Sequence, residues 1–252
     1  MPAGGTGLVL RGLRKEPAAI GKWHLGWDWT HKEGKAKTVD NIGFTKRMAN
    51  GPTDRGFDYF YGLTSPSGPP HLYMVNDMAE KQPNTRFEES GGGLYKIKGG
   101  IGHSDWSADG MQPHLADKML EYLDENKDSD KPFFLYMALT APHIPLFPSK
   151  EFKGKSKIGD YGDLVMMIDD IVGRVNRKLK EIGKYDNTIV MFAADNGCAG
   201  YINMDRINRK GHYPSYIYRG YKSHGWEGGH RIPFILSWGD RYGHVTDNSL
   251  VS

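Results

Sequence analysis

The clearest pattern of hydrophobic and polar positions lies between Asp160 and Ile182. Apolar residues recur there every three or four positions, which places them on one face of a helix. Gly183 follows directly, at the position where a glycine often ends a helix in the left-handed conformation. The pattern predicts a long amphipathic helix with the following apolar stripe: Leu164, Ile168, Ile171, Val175, Leu179 and Ile182.

Short continuous apolar runs elsewhere in the chain predict strands that are buried on both faces. Phe133–Leu139 precedes the long helix, Thr188–Ala193 follows it, and Pro233–Trp238 comes later. The end of another strand is predicted at Pro17–Ile20, and a shorter helix at His114–Leu123. A strand, a long helix and a strand in succession favour a right-handed crossover and a parallel sheet.

These elements predict an α/β fold with a mostly parallel central sheet flanked by helices. Residues 23–110 are rich in glycine, proline, aromatic and charged residues, which predicts long ordered loops. Ligands of such sheets bind beyond the carboxyl ends of the strands. The residues that follow each strand are therefore the candidates for a functional site.

Composition narrows the possible classes of function. The chain has 252 residues, of which 38% are hydrophobic and 25% charged, so a packed core is expected and disorder is not. A net charge of +3 gives no case for nucleic acid binding, and no apolar run approaches the length of a membrane span. Cys198 is the single cysteine, which excludes an internal disulfide.

Chemically suitable side chains follow three of the predicted strands. Lys22 and His24 come after the first strand and project to the same side of an extended segment. His143 lies between two prolines that restrict its backbone. Asp195 and Asn196 follow the strand after the long helix, and they offer the oxygen ligands that Ca²⁺ and Mg²⁺ prefer.

Lys222 lies in a glycine-rich segment that is dense in charged residues and histidine, and it is a candidate anion anchor. Glu227, before two glycines, is a candidate brace for the same segment. Each of these signals also has an ordinary structural explanation, such as a surface lysine, an Asn-Gly turn or a solvated loop. Together they predict a pocket for an anionic ester, with cations and imidazoles beside a metal ion.

Six motifs in this order resemble those of the sulfatase family, which is typified by arylsulfatases and belongs to the alkaline-phosphatase-like superfamily. The resemblance runs from about residue 17 to the end of the chain. It implies a sulfatase, a sulfuric ester hydrolase that acts on a sulfated small molecule, an aryl sulfate or a carbohydrate. The motifs are GKWHLG at 21–26, GFDYFYG at 56–62, APHIP at 141–145, MIDD at 167–170, ADNG at 194–197 and GYKSHGWEGGHRIP at 220–233.

The resemblance implies a catalytic role for four of the candidates. Lys22 would contact the nucleophile and the sulfate. His24 would handle the proton of the nucleophile's hydroxyl when the covalent sulfate intermediate breaks down. His143 and Lys222 would each hold a sulfate oxygen, so that Lys22, His143 and Lys222 together bind the substrate.

The resemblance also implies a Ca²⁺ site, with Mg²⁺ as an alternative, held by Asp195 and Asn196. Asp195 is a further candidate for protonating the leaving oxygen. Family members complete this site with paired aspartates at the end of an opening strand. They then carry C-x-P-x-R or S-x-P-x-R, whose Cys or Ser is converted to the nucleophile, formylglycine. This sequence contains neither motif, because Cys198 and Ser65 stand in different contexts, and no residue is assigned as nucleophile.

We therefore expect residues 1–252 to form a partial sulfatase domain without the opening metal and nucleophile segment and without the smaller C-terminal domain. A fragment, a mis-started gene product and a degenerate paralogue are the three explanations. Little or no turnover and weak Ca²⁺ affinity are expected of this chain alone. Its first residues do not predict a signal peptide, although family members are often periplasmic, secreted or lysosomal.

Two alternative functions stay open at this point. One is the hydrolysis of phosphate or phosphonate esters, as in other members of the superfamily. The other is a remnant that binds sulfated ligands without catalysis. The sequence predicts neither the particular sulfate ester nor the oligomeric state.

Overall fold

The structure, a computed structural model, describes residues 16–239. The chain divides into two compact units. Unit 1 comprises Met1–Tyr122 and Asp128–Ile171, and unit 2 comprises Leu123–Lys127 and Val172–Ser252. The predictions about the opening of the chain and about its last residues lie outside the described residues.

Nine strands occur in the described residues, and unit 1 is built on five of them. Its central sheet has the order β4–β3–β2–β1–β7. β1 is parallel to both of its neighbours, β2 and β7, whereas β3 and β4 are antiparallel. The parallel centre of this sheet confirms the α/β fold class. The strands are β1 (Glu16–Lys22), β2 (Tyr59–Leu63), β3 (Met74–Val75), β4 (Met78–Ala79), β5 (Thr85–Phe87), β6 (Gly100–Gly102), β7 (Phe133–Ala138), β8 (Ile189–Ala193) and β9 (Phe234–Trp238).

The long helix agrees closely with the prediction. Four residues of the predicted apolar stripe are buried, whereas Ile168 and Ile182 are partly exposed and Met167 is buried in place of Ile168. Gly183 has a φ of 68° and ends the helix. The N–H of Lys184 donates to the carbonyl oxygen of Leu179 at 2.9 Å, which is the bond of a Schellman cap. The α-helices are α1 (Met111–Glu125), α2 (Asp160–Glu181), α3 (Met204–Asn208) and α4 (Glu227–His230).

Two apolar cores cover the two faces of the unit 1 sheet, because side chains alternate along β1. Ile20 belongs to one core, to which α1 contributes Leu115 and α2 contributes Leu164. Ala19 belongs to the other core. That second core is closed by residues from the long segment after β1: Trp27, Phe44, Met48 and Phe57.

β7 is less buried than its sequence predicts. Its residues are all at least partly exposed, and Tyr136 is 50% exposed, so the expected burial on both faces is not observed. The reason is its position, since β7 pairs with β1 alone among the described strands and its other edge carries no strand there. Tyr136 instead stacks on Phe57, with 6.4 Å between the ring centroids.

Unit 2 contains an antiparallel pair, in which β8 and β9 are matched from Ile189↔Trp238 to Ala193↔Phe234. The order strand, long helix, strand predicts that β8 joins a parallel sheet, so the observed pairing differs. Apolar runs report burial but not the pairing partner, which long-range contacts decide. Predicted burial on both faces is also not observed here, because Met191 and Leu236 are exposed.

Residues 23–110 hold more regular structure than predicted. They contain β2 to β6, and four of these strands are two or three residues long. Strands this short leave no alternating pattern in the sequence. The rest of the segment is ordered loop, as predicted, with short 3₁₀ turns at Val39–Asn41, Pro52–Arg55 and Gly93–Tyr95.

His71 is a buried histidine of unit 1. It is 1% exposed, and its ring packs on Trp106 with 4.5 Å between centroids. Its Nε2–H donates to the carbonyl oxygen of Lys98 at 2.7 Å. Burial lowers the pKa of His71, although the hydrogen bond to Lys98 acts in the opposite direction.

We expect unit 1 to lose stability as the pH falls below about 6.5, the ordinary histidine pKa. Burial lowers the pKa of both His71 and His114 in the folded chain. As the pH falls, the unfolded chain therefore binds protons at these two histidines before the folded chain does, and this favours unfolding. Urea unfolding across this pH range measures the loss. His71→Gln should flatten the pH dependence, and the same change at exposed His212 should not. Equal slopes for the wild type and His71→Gln would contradict the assignment.

Candidate active site

The carboxyl ends of β1, β2 and β7 meet at one edge of the unit 1 sheet, and Lys22 is the last residue of β1. The strands approach closely there. A Cβ on Gly21 would lie 2.0 Å from the carbonyl oxygen of Ala138, and one on Gly62 would lie 1.7 Å from that of Gly21. Glycine at both positions lets the strand ends come together, and this fixes where the half-buried Lys22 side chain leaves the sheet.

His24 lies two residues beyond β1 and is exposed. Its φ of 45° is in the left-handed region, which is uncommon for a residue with a side chain and costs about 1 kcal/mol. The surrounding turn is well anchored. Trp23 donates its N–H to the carbonyl oxygen of Leu63 at 2.9 Å and its indole N–H to that of Gly26 at 3.0 Å. Strain of this kind is found more often at functional sites than elsewhere.

His143 lies in the loop that follows β7, next to the strand that carries Lys22. Cis peptide bonds precede Pro142 and Pro145 on either side of it. Its Nδ1–H donates to the carbonyl oxygen of Ile144 at 2.6 Å. This bond holds the ring in one orientation, with Nδ1 as the donor.

Asp195 and Asn196 follow β8 in unit 2, and backbone contacts join their loop to the segment that carries Lys222. The N–H of Lys222 donates to the carbonyl oxygen of Cys198 at 2.8 Å. The backbone segments that carry the predicted metal ligands and the predicted anion anchor are thus hydrogen-bonded to each other. Lys222 itself is half-buried.

Glycines make this junction possible. The N–H of Gly197 donates to the carbonyl oxygen of Gly229 at 2.9 Å. A Cβ on Gly197 would lie 1.9 Å from the carbonyl oxygen of Gly228, and one on Gly228 would lie 2.2 Å from that of Gly220. The glycine content of this segment therefore reflects close packing of two backbones and not a loose, solvated loop.

Glu227 braces the same segment, as predicted. It begins α4, and its carboxylate lies 3.2 Å from Nε of Arg231 and 3.6 Å from Nε2 of His230. The Arg231 guanidinium in turn lies 4.4 Å from the centre of the Tyr218 ring. These contacts hold the stretch just before β9 in place.

The two predicted metal ligands, Asp195 and Asn196, can supply only part of the coordination sphere of a Ca²⁺ ion. Ca²⁺ takes about six to eight oxygen ligands, and a carboxylate and an amide oxygen suit it. Within residues 16–239, no three His, Cys, Asp or Glu side chains are grouped so that they could hold a metal. Asp195 and Asn196 therefore fit the chemistry of Ca²⁺, but they need further ligands.

A second polar cluster in unit 1 was not predicted from the sequence. The Tyr61 hydroxyl donates to Oε2 of Glu80 at 2.8 Å and lies 2.6 Å from Nε2 of His114. Tyr73 packs against the Tyr61 and His114 rings at centroid distances of 5.6 Å and 4.2 Å. Burial raises the pKa of Tyr61, and the hydrogen bond to Glu80 raises it further. The cluster joins distant parts of the chain, and its one sequence signal is the GFDYFYG motif that contains Tyr61.

The predicted site residues therefore fall in two groups, one in each unit. Lys22, His24 and His143 follow neighbouring strands of unit 1. The group in unit 2 follows β8 and precedes β9. Each group lies at strand exits, where an α/β sheet binds its ligands.

The fold and these side chains define a class: α/β proteins with cations, imidazoles and oxygen donors at the carboxyl ends of their strands, suited to an anionic ester. The family model described as Sulfatase matches residues 9–252. The chain belongs to the sulfatase family.

Several relatives and solved structures agree with this assignment. An N-acetylgalactosamine-6-O-sulfatase from Bacteroides thetaiotaomicron is 29% identical over 254 aligned residues, covering 87% of this chain and 48% of that protein. An arylsulfatase from Hemicentrotus pulcherrimus is 29% identical over 233 residues, covering 92% of this chain and 37% of that protein. A solved Bacteroides thetaiotaomicron structure, described with the metabolism of multiple glycosaminoglycans, gives a TM-score of 0.72 at 27% identity, covering 91% of this chain and 53% of that one.

The chain spans about half the length of these curated relatives, or less. In the part that the structure describes, no helix is long and apolar enough to cross a membrane.

Proposed function

We propose that this chain is part of an enzyme that hydrolyses sulfate esters. The observation that carries the proposal is the chemistry at the strand exits of a sulfatase-family chain: Lys22 and two histidines in unit 1, and oxygen donors joined to the Lys222 segment in unit 2. Cleavage of a sulfate ester places additional negative charge on oxygen in the transition state. Fixed cations that contact those oxygens stabilise the transition state more than the ground state.

The unit 1 residues are assigned to sulfate binding and proton transfer. Lys22 contacts the nucleophile and a sulfate oxygen from its fixed place at the end of β1. His24 takes the proton from the nucleophile's hydroxyl as the covalent intermediate breaks down. His143 holds a sulfate oxygen through Nε2, and because its Nδ1–H is already bonded to Ile144, the ring must be an imidazolium to donate there.

The unit 2 residues are assigned to metal binding and to a further sulfate oxygen. Lys222 contacts a sulfate oxygen. Asp195 and Asn196 would hold Ca²⁺, with Mg²⁺ as the alternative, and Asp195 is also assigned to protonate the leaving oxygen. The bound metal supplies positive charge that polarises the ester. Formylglycine is the nucleophile of the family, and since its motif is absent from this sequence, no residue of this chain is assigned to that step.

We infer a sulfated carbohydrate as the substrate class, with an aryl sulfate as the alternative. A relative is named an N-acetylgalactosamine-6-O-sulfatase, which supports a sugar. A cavity of about 510 Å³ in unit 1 supports it as well, because small-molecule sites measure about 300–1,000 Å³. Phe87, Trp106 and Phe147 line this cavity, and Phe147 lies four residues beyond His143. Aromatic rings offer flat apolar surfaces to the C–H faces of sugars.

Release of sulfate from a defined sugar ester tests the proposal. The product of the complete reading frame should hydrolyse N-acetylgalactosamine 6-sulfate at least about tenfold faster than the matched 6-phosphate, by kcat/KM. Ion chromatography of the released anions measures both reactions. Faster release of phosphate would replace the proposal with the phosphate ester alternative, and binding without release would replace it with the binding remnant.

The 252-residue chain alone is the matched control. We expect it to show little or no turnover, because no nucleophile is assigned in it, and to bind Ca²⁺ weakly, because Asp195 and Asn196 supply too few ligands. Sulfate release by the purified chain, or a Ca²⁺ dissociation constant of about 1 µM or tighter by calorimetry, would contradict these expectations.

A further inference from the structure

A second, smaller cavity in unit 1 adjoins the Tyr61 cluster, and of its lining residues only Trp106 has a role in the function proposed above. Its volume is about 180 Å³, which corresponds to about six water molecules at roughly 30 Å³ each. Space of this size suits a single six-membered ring with its substituents. The lining residues are Leu72, Tyr73, Glu80, Lys81, His103, Asp105, Trp106 and His114.

Tyr73 is the residue of this cavity whose hydroxyl group needs a hydrogen-bond partner. It is 6% exposed, yet its hydroxyl has no hydrogen-bond partner within residues 16–239. A buried tyrosine normally finds a partner for its O–H. The hydroxyl is not sealed inside the protein, so the cavity that Tyr73 lines is where a partner can bind. Burial raises the pKa of Tyr73, so it is a donor at neutral pH.

Two residues that line the same cavity carry hydrogen-bond acceptors, Glu80 and His114. The Tyr61 O–H donates to Oε2 of Glu80 at 2.8 Å, which leaves Oε1 without a partner in the described residues. Because Tyr61 uses its proton in that bond, Nε2–H of His114 donates to the Tyr61 oxygen at 2.6 Å. Burial lowers the pKa of His114, so the ring is neutral and Nδ1 is an acceptor.

The charges of the wall favour an uncharged ligand. Lys81 and Asp105 neutralise each other as an ion pair at the rim. Lys118, whose Nζ lies 5.2 Å from the centre of the Tyr61 ring, pairs with Glu121 at 2.8 Å. The carboxylate of Glu80 is therefore the unbalanced charge in the cavity wall, and it would repel an anionic ligand.

We propose that this cavity binds one unsulfated sugar ring. Sugar hydroxyls both donate and accept, which matches the Tyr73 donor and the acceptors on Glu80 and His114. The rings of Tyr73 and Trp106 supply the apolar wall. Trp106 also lines the larger cavity, so one glycan can extend from one cavity into the other. The inference adds a binding site to the proposed function and does not depend on hydrolysis.

Titration of the full chain with methyl β-galactopyranoside tests the site, and the matched 6-sulfate is the comparison. The indole N–H signal of Trp106 in the NMR spectrum, assigned with Trp106→Phe, reports binding. We expect the unsulfated sugar to shift this signal saturably, at about millimolar affinity, and the 6-sulfate to bind there more weakly. Tyr73→Phe should weaken binding about three- to tenfold, since it removes one hydrogen bond to the ligand.

Tyr95→Phe is the matched control, because it deletes a hydroxyl that bonds to Asp160 outside the cavity. It should leave sugar binding unchanged, and Tyr73→Phe should leave the thermal midpoint unchanged because its hydroxyl has no protein partner. An unmoved Trp106 signal, equal affinity in Tyr73→Phe, or stronger binding of the 6-sulfate would each overturn the proposal. Failure of the proposed function would look different, namely no sulfate release with sugar binding intact.

Discussion

Replacing Gly62 by alanine is expected to destabilise unit 1 severely. The new Cβ would lie 1.7 Å from the carbonyl oxygen of Gly21, and that atom belongs to the backbone of the central strand. No side-chain rotation can relieve such a clash, so β1 and β2 must separate where they lead to Lys22. The cost should reach about 4 kcal/mol or more, a large part of the roughly 5–15 kcal/mol that stabilises a domain. Urea unfolding followed by circular dichroism measures it.

Gly92→Ala is the control for this substitution. A Cβ there meets nothing within 4 Å, and the φ of −156° suits any residue. It should change the free energy of unfolding by about 0.5 kcal/mol or less. A Gly62→Ala variant whose stability lies within about 1 kcal/mol of Gly92→Ala would show that the strand ends are not packed as described.

Replacing His24 by glycine is expected to lower the turnover of a sulfate ester by about 10²–10⁴, the usual contribution of general acid–base catalysis. Stability should be unchanged or higher by up to about 1 kcal/mol, because glycine adopts the φ of 45° without strain. Steady-state kinetics of the complete protein and its thermal midpoint give the two readouts. Imidazole added to the buffer should restore part of the activity, which a merely structural role would not allow.

His31→Gly is the matched control, since His31 lies in the same loop region and has no assigned role. It should retain turnover, and it should be less stable than the wild type because glycine gains more freedom on unfolding. Full activity in His24→Gly would remove His24 from the mechanism. A large loss of stability in that variant would show that the residue acts through the fold.

The elements with strong local patterns could be predicted from the sequence. The long helix, most of its buried stripe and the Gly183 cap depend on contacts within one or two turns, and the sequence predicts all of these. The sequence predicts that α1 starts at His114, three residues after its observed start at Met111, and the observed first turn includes Pro113, which a first turn tolerates.

Strand pairing is where the sequence is least informative. The runs that form β7 and β8 are equally apolar, yet β7 pairs parallel with β1 and β8 pairs antiparallel with β9. An apolar run states that a strand prefers burial, but its partner depends on residues far away in the chain. The Tyr61 cluster could not be predicted for the same reason, because its members come from separate parts of the chain: β2, the end of β4 and α1.

The candidate site was partly predictable, because strand exits are sequence features once the strands are known. Lys22, His143 and Asp195 each follow a predicted strand, and the structure places each at a strand exit. The backbone junction between the Asp195 loop and the Lys222 segment could not be predicted. Glycines in both segments were visible, but a glycine that relieves crowding looks the same in sequence as one in a flexible turn.

The glycine junction in unit 2 has a consequence for the exchange of segments between this chain and its relatives. Since Gly197 packs on Gly228 with no space for a methyl group, neither segment can be exchanged for a homologous one without its counterpart. A chimera that imports the Lys222 segment from a relative should also import the residues from Asp195 to Cys198. In a library that varies the two segments independently, most proteins would not form the backbone junction between the Asp195 loop and the Lys222 segment.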